Sequence, residues 1–217
     1  MAVYDLEEQE QISELKAWWE QYGKLVTTLA LTAALASVGW QGMKWYQGKQ
    51  ASEAGALFFV VQQAAQRGDA QKAREATGQI IEKHPGTAYA EMAALLSAGV
   101  QVTSGDTQNA RAHLEWVAGK GSDPVLRDIA RLRLASVLFD AGSHAEALAQ
   151  LEKRPVTALK PRFEDLRGDV QAAAGKTEAA RAAYQAALDA LAGGGGGGEG
   201  ADTLREVVRV KLQALES

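Results

Sequence analysis

His84, His113 and His144 are the side chains best suited to move protons near neutral pH, yet their spacing does not assemble them. They fall sixteen, eight and two residues after Gly68, Gly105 and Gly142, glycines that recur along the chain, so each occupies a different position relative to its glycine. An HExxH helix would set two histidines on one face with a general base between them, and a G-x-S-x-G elbow would present a nucleophilic serine. Neither occurs, nor does a Walker loop. The run GGGGGGEG at 193–200 satisfies G-x-G-x-x-G trivially, but no strand precedes it to form the turn that cradles a pyrophosphate. The absence of cysteine excludes disulfides, thiolate nucleophiles and Cys-type zinc sites, and leaves the redox compartment open. The expectation is a protein without catalytic, metal-binding or cofactor-binding residues. Carboxylates such as Glu7 with Glu8 and Glu164 with Asp165 most simply solvate helix faces. Asp165 and Asp169, four residues apart and close to Arg162, either do the same or mark a polar binding patch.

Charge narrows the partners. Lys and Arg number 23 against 27 Asp and Glu, with no basic run to track a phosphate backbone, which argues against nucleic acid. The averages conceal an asymmetry. Residues 25–43, LVTTLALTAALASVGWQGM, carry no charge between Lys24 and Lys44. Nineteen helical residues rise about 28 Å, close to the roughly 30 Å hydrocarbon thickness of a bilayer. Trp18, Trp19 and Tyr22 precede the stretch and Trp40, Trp45 and Tyr46 close it, placing amphipathic rings at both water interfaces. These features predict a membrane span over 25–45. A cleaved signal peptide ending at Ala34-Leu35-Ala36 needs a basic leading region, whereas residues 1–24 hold six acids against Lys16 and Lys24. A buried soluble helix rarely ends in aromatic clusters on both sides. Ala30, Ala34 and Ser37 stand at helical spacing, and form either a small-residue packing face for another transmembrane helix or an incidental product of alanine-rich composition. Orientation is not set by charge, because Lys16 and Lys24 on one side balance Lys44 and Lys49 on the other.

After the span the chain becomes polar, alanine-rich and periodic. Gly68, Gly105, Gly142 and Gly175 are separated by 37, 37 and 33 residues. Five residues after each comes alanine (Ala73, Ala110, Ala147, Ala180), nine after come Thr77, Leu114, Leu151 and Tyr184, and seven before come Val61, Ala98, Ala135 and Gly168. Glycine ends a helix in a conformation that other residues resist, and small residues at fixed offsets let paired helices approach. The period predicts helix-turn-helix units of about 34 residues, with Pro85, Pro124, Pro155 and Pro161 between pairs. The unit resembles the tetratricopeptide repeat, degenerate in lacking the early Trp and most Tyr positions.

The predicted fold is all-α: an N-terminal transmembrane helix followed by a tetratricopeptide-like solenoid of helical hairpins. The expected divisions are an acidic tail at 1–24, the transmembrane helix at 25–45, the repeat domain at 46–192, a flexible glycine-rich linker at 193–201 and a C-terminal capping helix at 202–217. Helices are expected over 52–67, 70–83, 87–103, 107–118, 124–141, 144–152, 160–174 and 177–191. The last helix should open with a capping box, Thr203-Leu204-Arg205-Glu206, and pack through Leu204, Val208, Leu212 and Leu215. Ten residues before the first three repeat glycines stand Phe58, Leu95 and Leu132, and three before stand Ala65, Val102 and Phe139. These phases predict an apolar partner-binding groove with a polar end at Asp165, followed by Ala172; the alternative is that the same side chains are core. An exposed groove residue would tolerate truncation to alanine at little cost in stability.

Taken in order, Trp18-Trp19-Glu20, Gly23-Lys24, a span ending Gly39-Trp40, LRLA at 132–135, LRGD at 166–169, Gly175, Ala180-Arg181 and VKLQAL at 210–215 resemble the YfgM-like ancillary subunits of the SecYEG translocon. The glycine run before the last helix departs from that pattern. The resemblance implies a single-pass bacterial inner-membrane protein, tail in the cytoplasm and repeats in the periplasm. It also implies association with SecYEG and a PpiD-like periplasmic chaperone, and assistance to exported client polypeptides. A repeat scaffold for another envelope-biogenesis or cell-division complex is the competing reading, since repeats advertise a groove without naming its ligand.

Overall fold

The computed structural model describes residues 4–194 and 200–215, and every regular element among them is helical. Most of the expected glycine-rich linker, the first three residues of the tail and the last two of the cap lie outside the described residues. Two compact units are present, Met1–Gln50 and Ala51–Ser217.

The first unit belongs to α1, Tyr4–Gln66, an uninterrupted helix of 63 residues. Tail, span and first repeat helix are separate segments in the sequence reading, but no proline interrupts the ladder between them and Gly23, Gly39, Gly42, Gly48 and Gly55 stay helical. Thr27, Thr28 and Thr32 return their hydroxyls to the carbonyls of Gly23, Lys24 and Thr28 at 2.6–2.8 Å, which satisfies polar groups inside an apolar stretch. The Trp19 indole lies over Gly23, where a Cβ would stand 3.1 Å from the ring. At the other end of the apolar stretch, Lys44 sits 5.0 Å from the Trp40 ring centroid and Lys49 5.8 Å from that of Trp45. The helix is long and apolar enough to cross a membrane.

The second unit stacks four hairpins. The end of α1 pairs with α2 (Ala70–Lys83), α3 (Ala88–Thr103) with α4 (Thr107–Lys120), α5 (Pro124–Asp140) with α6 (His144–Leu151), and α7 (Lys160–Ala173) with α8 (Thr177–Ala192). Then α9 (Ala201–Ala214) covers the last pair. Each hairpin turns on its repeat glycine, with φ of 68°, 82°, 76° and 72° at Gly68, Gly105, Gly142 and Gly175. The residue after the glycine donates its backbone N–H five residues back, as in Asp69 to Ala64 at 2.9 Å and Ser143 to Leu138 at 2.8 Å. This is the αL termination in which only glycine avoids a Cβ penalty. Asp69 and Asp106 also cap the next helix, accepting from the N–H of Lys72 and Asn109. One turn thus ends a helix and starts its partner.

The repeat offsets are the core. Ala73, Ala110, Ala147 and Ala180 are fully buried, and so are or nearly are Thr77, Leu114, Leu151 and Tyr184. Seven before each glycine, Val61, Ala98 and Ala135 are buried, while at Gly168 the Tyr184 ring occupies the space a Cβ would need, 2.3 Å from its Cε1. Two buried carboxylates 37 residues apart fasten consecutive pairs. Glu91 accepts from Ser122 N and Oγ (2.7 and 2.6 Å) ahead of α5, and Asp128 accepts from Val156 N (2.8 Å) ahead of α7.

The expected capping box does not form. Helix α9 starts at Ala201 with Gly200 as a cap lacking a side-chain bond, which places Thr203 inside the first turn. Ala201 and Asp202 accept helical geometry readily, and Asp202 pairs with Arg205.

Candidate partner-binding groove

The end of α1, α3 and α5 enclose an open cavity of about 640 Å³. Its walls follow a shared register. Nine, six, five and two residues before their glycines, α3 presents Leu96, Gly99, Val100 and Thr103, and α5 presents Arg133, Ser136, Val137 and Asp140. Ala65 and Gly68 come from the end of α1 and its turn, and Leu95 and Val102 add to the α3 wall. Arg133 crosses from α5 to donate its Nη1 to the Leu95 carbonyl at 3.1 Å. The cavity is mostly apolar, with several small residues in its lining, and carries hydroxyls, one cation and one carboxylate.

A profile for the family described as "Tetratricopeptide repeat-like domain" matches residues 16–217. The chain belongs to this family. The protein named "Ancillary SecYEG translocon subunit" in Haemophilus influenzae (strain ATCC 51907 / DSM 11121 / KW20 / Rd) is 29% identical over 185 residues, 85% of this chain and 90% of its own length. Its namesake in Neisseria gonorrhoeae (strain ATCC 700825 / FA 1090) is 27% identical over 215 residues, 97% and 98% respectively. The one in Aggregatibacter actinomycetemcomitans is 29% identical over 187 residues, 86% and 91%. No solved structure matches the chain.

In this tetratricopeptide repeat-like protein the apolar stripe read from the sequence divides. Leu95 and Val102 line the groove, and Val102 is exposed. Leu95 is 7% exposed and belongs to the core cluster, so it is a groove floor rather than a free anchor. Its truncation to alanine would cost about 2–5 kcal/mol. Leu132 and Phe139 pack half-buried against the core, Phe139 with its ring 5.7 Å from that of His144. Phe58 meets Tyr89 with ring centroids 5.6 Å apart and planes tilted by 43°. The groove register was missed because its residues are small or polar as often as apolar; the usable signal was the α3–α5 pairing of Gly99 with Ser136 and Thr103 with Asp140.

Asp165 already has a partner. Lys211 of α9 places its Nζ 2.7 Å from both Asp165 Oδ1 and Asp169 Oδ2, and the Tyr184 hydroxyl donates to Asp169 Oδ1 at 2.8 Å. Burial pushes the Asp165 carboxyl up, against the pull of Lys211. For Lys211 burial acts downward, but its two carboxylate partners prevail and hold the ammonium above its ordinary value. Burial and the Asp169 hydrogen bond raise the Tyr184 phenol. Chain separation hid this cluster, since Asp165 and Lys211 stand 46 residues apart.

The histidines do not converge. His84 is buried 3.8 Å from Glu53, His113 lies beside Gln101, and His144 meets Phe139. Burial, with Arg74 nearby, lowers His113 below its usual value. Among the described residues no group of three or more His, Cys, Asp or Glu is placed to hold a metal ion. Ala30, Ala34 and Ser37 share an exposed stretch of α1, and Ser37 Oγ accepts from Gln41.

Proposed function

We propose that this protein is a non-catalytic, membrane-anchored interaction subunit that stands beside the SecYEG channel, its N-terminal tail cytoplasmic and its repeats periplasmic. The observation that carries the reading is the relatives named ancillary SecYEG translocon subunits, which align along 85–97% of this chain; the family profile itself spans the anchor stretch. The fold supports it: a helix able to cross a bilayer is followed by repeats that enclose a peptide-sized groove. Ala30, Ala34 and Ser37 provide a face on which a neighbouring transmembrane helix can pack closely. The groove holds a segment of a PpiD-like periplasmic chaperone and so links the channel to folding of exported polypeptides.

Purification of the full chain in mild detergent, with blotting for SecY and for the chaperone, tests this. Both should be retained. Filling the groove by Gly99→Leu with Val102→Asp should release the chaperone several-fold while SecY stays and the melting temperature moves little. Recovery of neither partner from the unaltered protein would overturn the proposal.

A further inference from the structure

Within the first unit, Ile12, Leu15, Trp18, Trp19 and Tyr22 are 43–67% exposed and recur at intervals of three, four and seven, which at 100° per residue gathers them on one side of α1. The aromatic rings among them lie in the lipid headgroup zone (Tyr22, about 5 Å from Leu25, where the span begins) or at its outer edge (Trp18 and Trp19, about 9–11 Å away). Leu15 and Ile12 do not. They precede Leu25 by ten and thirteen residues, or about 15 and 20 Å along a helix, whereas the headgroup layer on each face is roughly 5–7 Å deep. Helix α1 runs through this region without interruption, so no break lets residues 11–19 fold down onto the bilayer. The apolar stripe therefore continues beyond the reach of lipid.

Charge identifies what covers it. Residues 1–24 hold six acids against two lysines; Glu7, Glu10 and Glu14 follow one another in sequence at i, i+3 and i+7, with Glu14 one residue before Leu15 and four before Trp18. An acidic segment is repelled by anionic headgroups, which excludes the membrane surface as its partner. Loops of integral membrane proteins on the cytoplasmic side carry an excess of Lys and Arg close to the bilayer. We infer that the Ile12–Leu15–Trp19 face, in a segment whose acids include Glu7, Glu10 and Glu14, docks a Lys/Arg-rich cytoplasmic loop of the integral membrane protein standing beside the anchor. This rests on the cytoplasmic placement of the tail in the proposed function, and adds a second contact independent of the groove.

The test places a photo-reactive benzophenone side chain at Leu15 of the full chain in native membranes and maps the cross-linked peptide. The expected product joins position 15 to a Lys/Arg-rich cytoplasmic segment of a membrane protein, and its yield falls several-fold with Glu7→Lys, Glu10→Lys and Glu14→Lys together. Cross-links to phospholipid, to a second copy or to nothing overturn the inference, as does a yield indifferent to charge reversal. Co-purification of SecY is read from the same membranes without irradiation, so loss of the tail contact with SecY retained separates failure of this inference from failure of the proposed function.

Discussion

Gly168 is where one missing methyl group decides a helix contact. Glycine inside a helix is ordinarily worse than alanine by roughly 0.5–1 kcal/mol, so propensity alone would make Gly168→Ala stabilising. The Tyr184 ring reverses that sign, because the added Cβ would stand 2.3 Å from Cε1 and 2.4 Å from Cδ1. The ring has little freedom to retreat, being nearly buried with its hydroxyl fixed on Asp169. Gly168→Ala should lower the stability of the full chain by about 1–3 kcal/mol in thermal or denaturant unfolding. In a Tyr184→Leu background the same change should become neutral or favourable; equal effects in both backgrounds would show that the ring is not the obstacle. The sequence displayed both halves of this pair without joining them. Seven before the other repeat glycines are Val61, Ala98 and Ala135, nine after are Thr77, Leu114 and Leu151, and the last repeat has simply moved bulk from one helix to the other.

Elements fixed by local chemistry were readable from the residues alone. Helices α2 to α8 begin and end within two residues of the expected bounds, since the repeat glycines turn in αL and aspartates cap two of the following helices, both nearest-neighbour effects. Where only a shift to polar composition was available, at 47–53, the expected boundary had no physical terminator and α1 continued through it. The Lys211 clamp left no signal, but some non-local contacts were legible too: Glu91 and Asp128 stand one 37-residue period apart, and the seat of α9 uses the Leu204, Val208, Leu212 and Leu215 face expected from the sequence. That seat is shallow: Val208 is the residue of α9 that is fully buried, with Leu204, Leu212 and Leu215 partly so. The clamp of Lys211 on Asp165 and Asp169 therefore carries an unusual share of the docking. Lys211→Met should leave two half-buried carboxylates facing each other and speed amide hydrogen exchange throughout α9 at least tenfold, a change of about 1.4 kcal/mol in local opening, while α3 to α5 keep their protection. The pH dependence follows from the raised ammonium: its contribution is complete below the unfolded value of 10.5 and is lost as pH rises through the higher folded value. Exchange in α9 should thus accelerate selectively in strong alkali, and Lys211→Met should remove that selectivity.

At the scale of the whole protein the outstanding property is the direction in which it crosses the membrane. Flanking lysines cannot set it, with Lys16 and Lys24 opposed by Lys44 and Lys49. A larger imbalance lies in what must be moved. One side offers 24 residues and the other about 170, and long domains translocate largely regardless of their charge, so balance among the flanks need not retain the repeats in the cytoplasm. The composition also provides a clean assay, because the chain has no cysteine and any introduced thiol is the sole target. Gln11 and Lys153 are both exposed, one in the tail part of α1 and the other in the turn after α6. In cells whose outer membrane has been permeabilised, a membrane-impermeant maleimide should label Lys153→Cys at once and Gln11→Cys only after the inner membrane is lysed. The full chain should stay with the membrane pellet through alkaline carbonate, since a span of about 28 Å of helix is not released by stripping charge. Labelling of Gln11→Cys with protection of Lys153→Cys would place the repeats in the cytoplasm, and both the periplasmic chaperone contact and the basic-loop contact of the tail would then have to be abandoned.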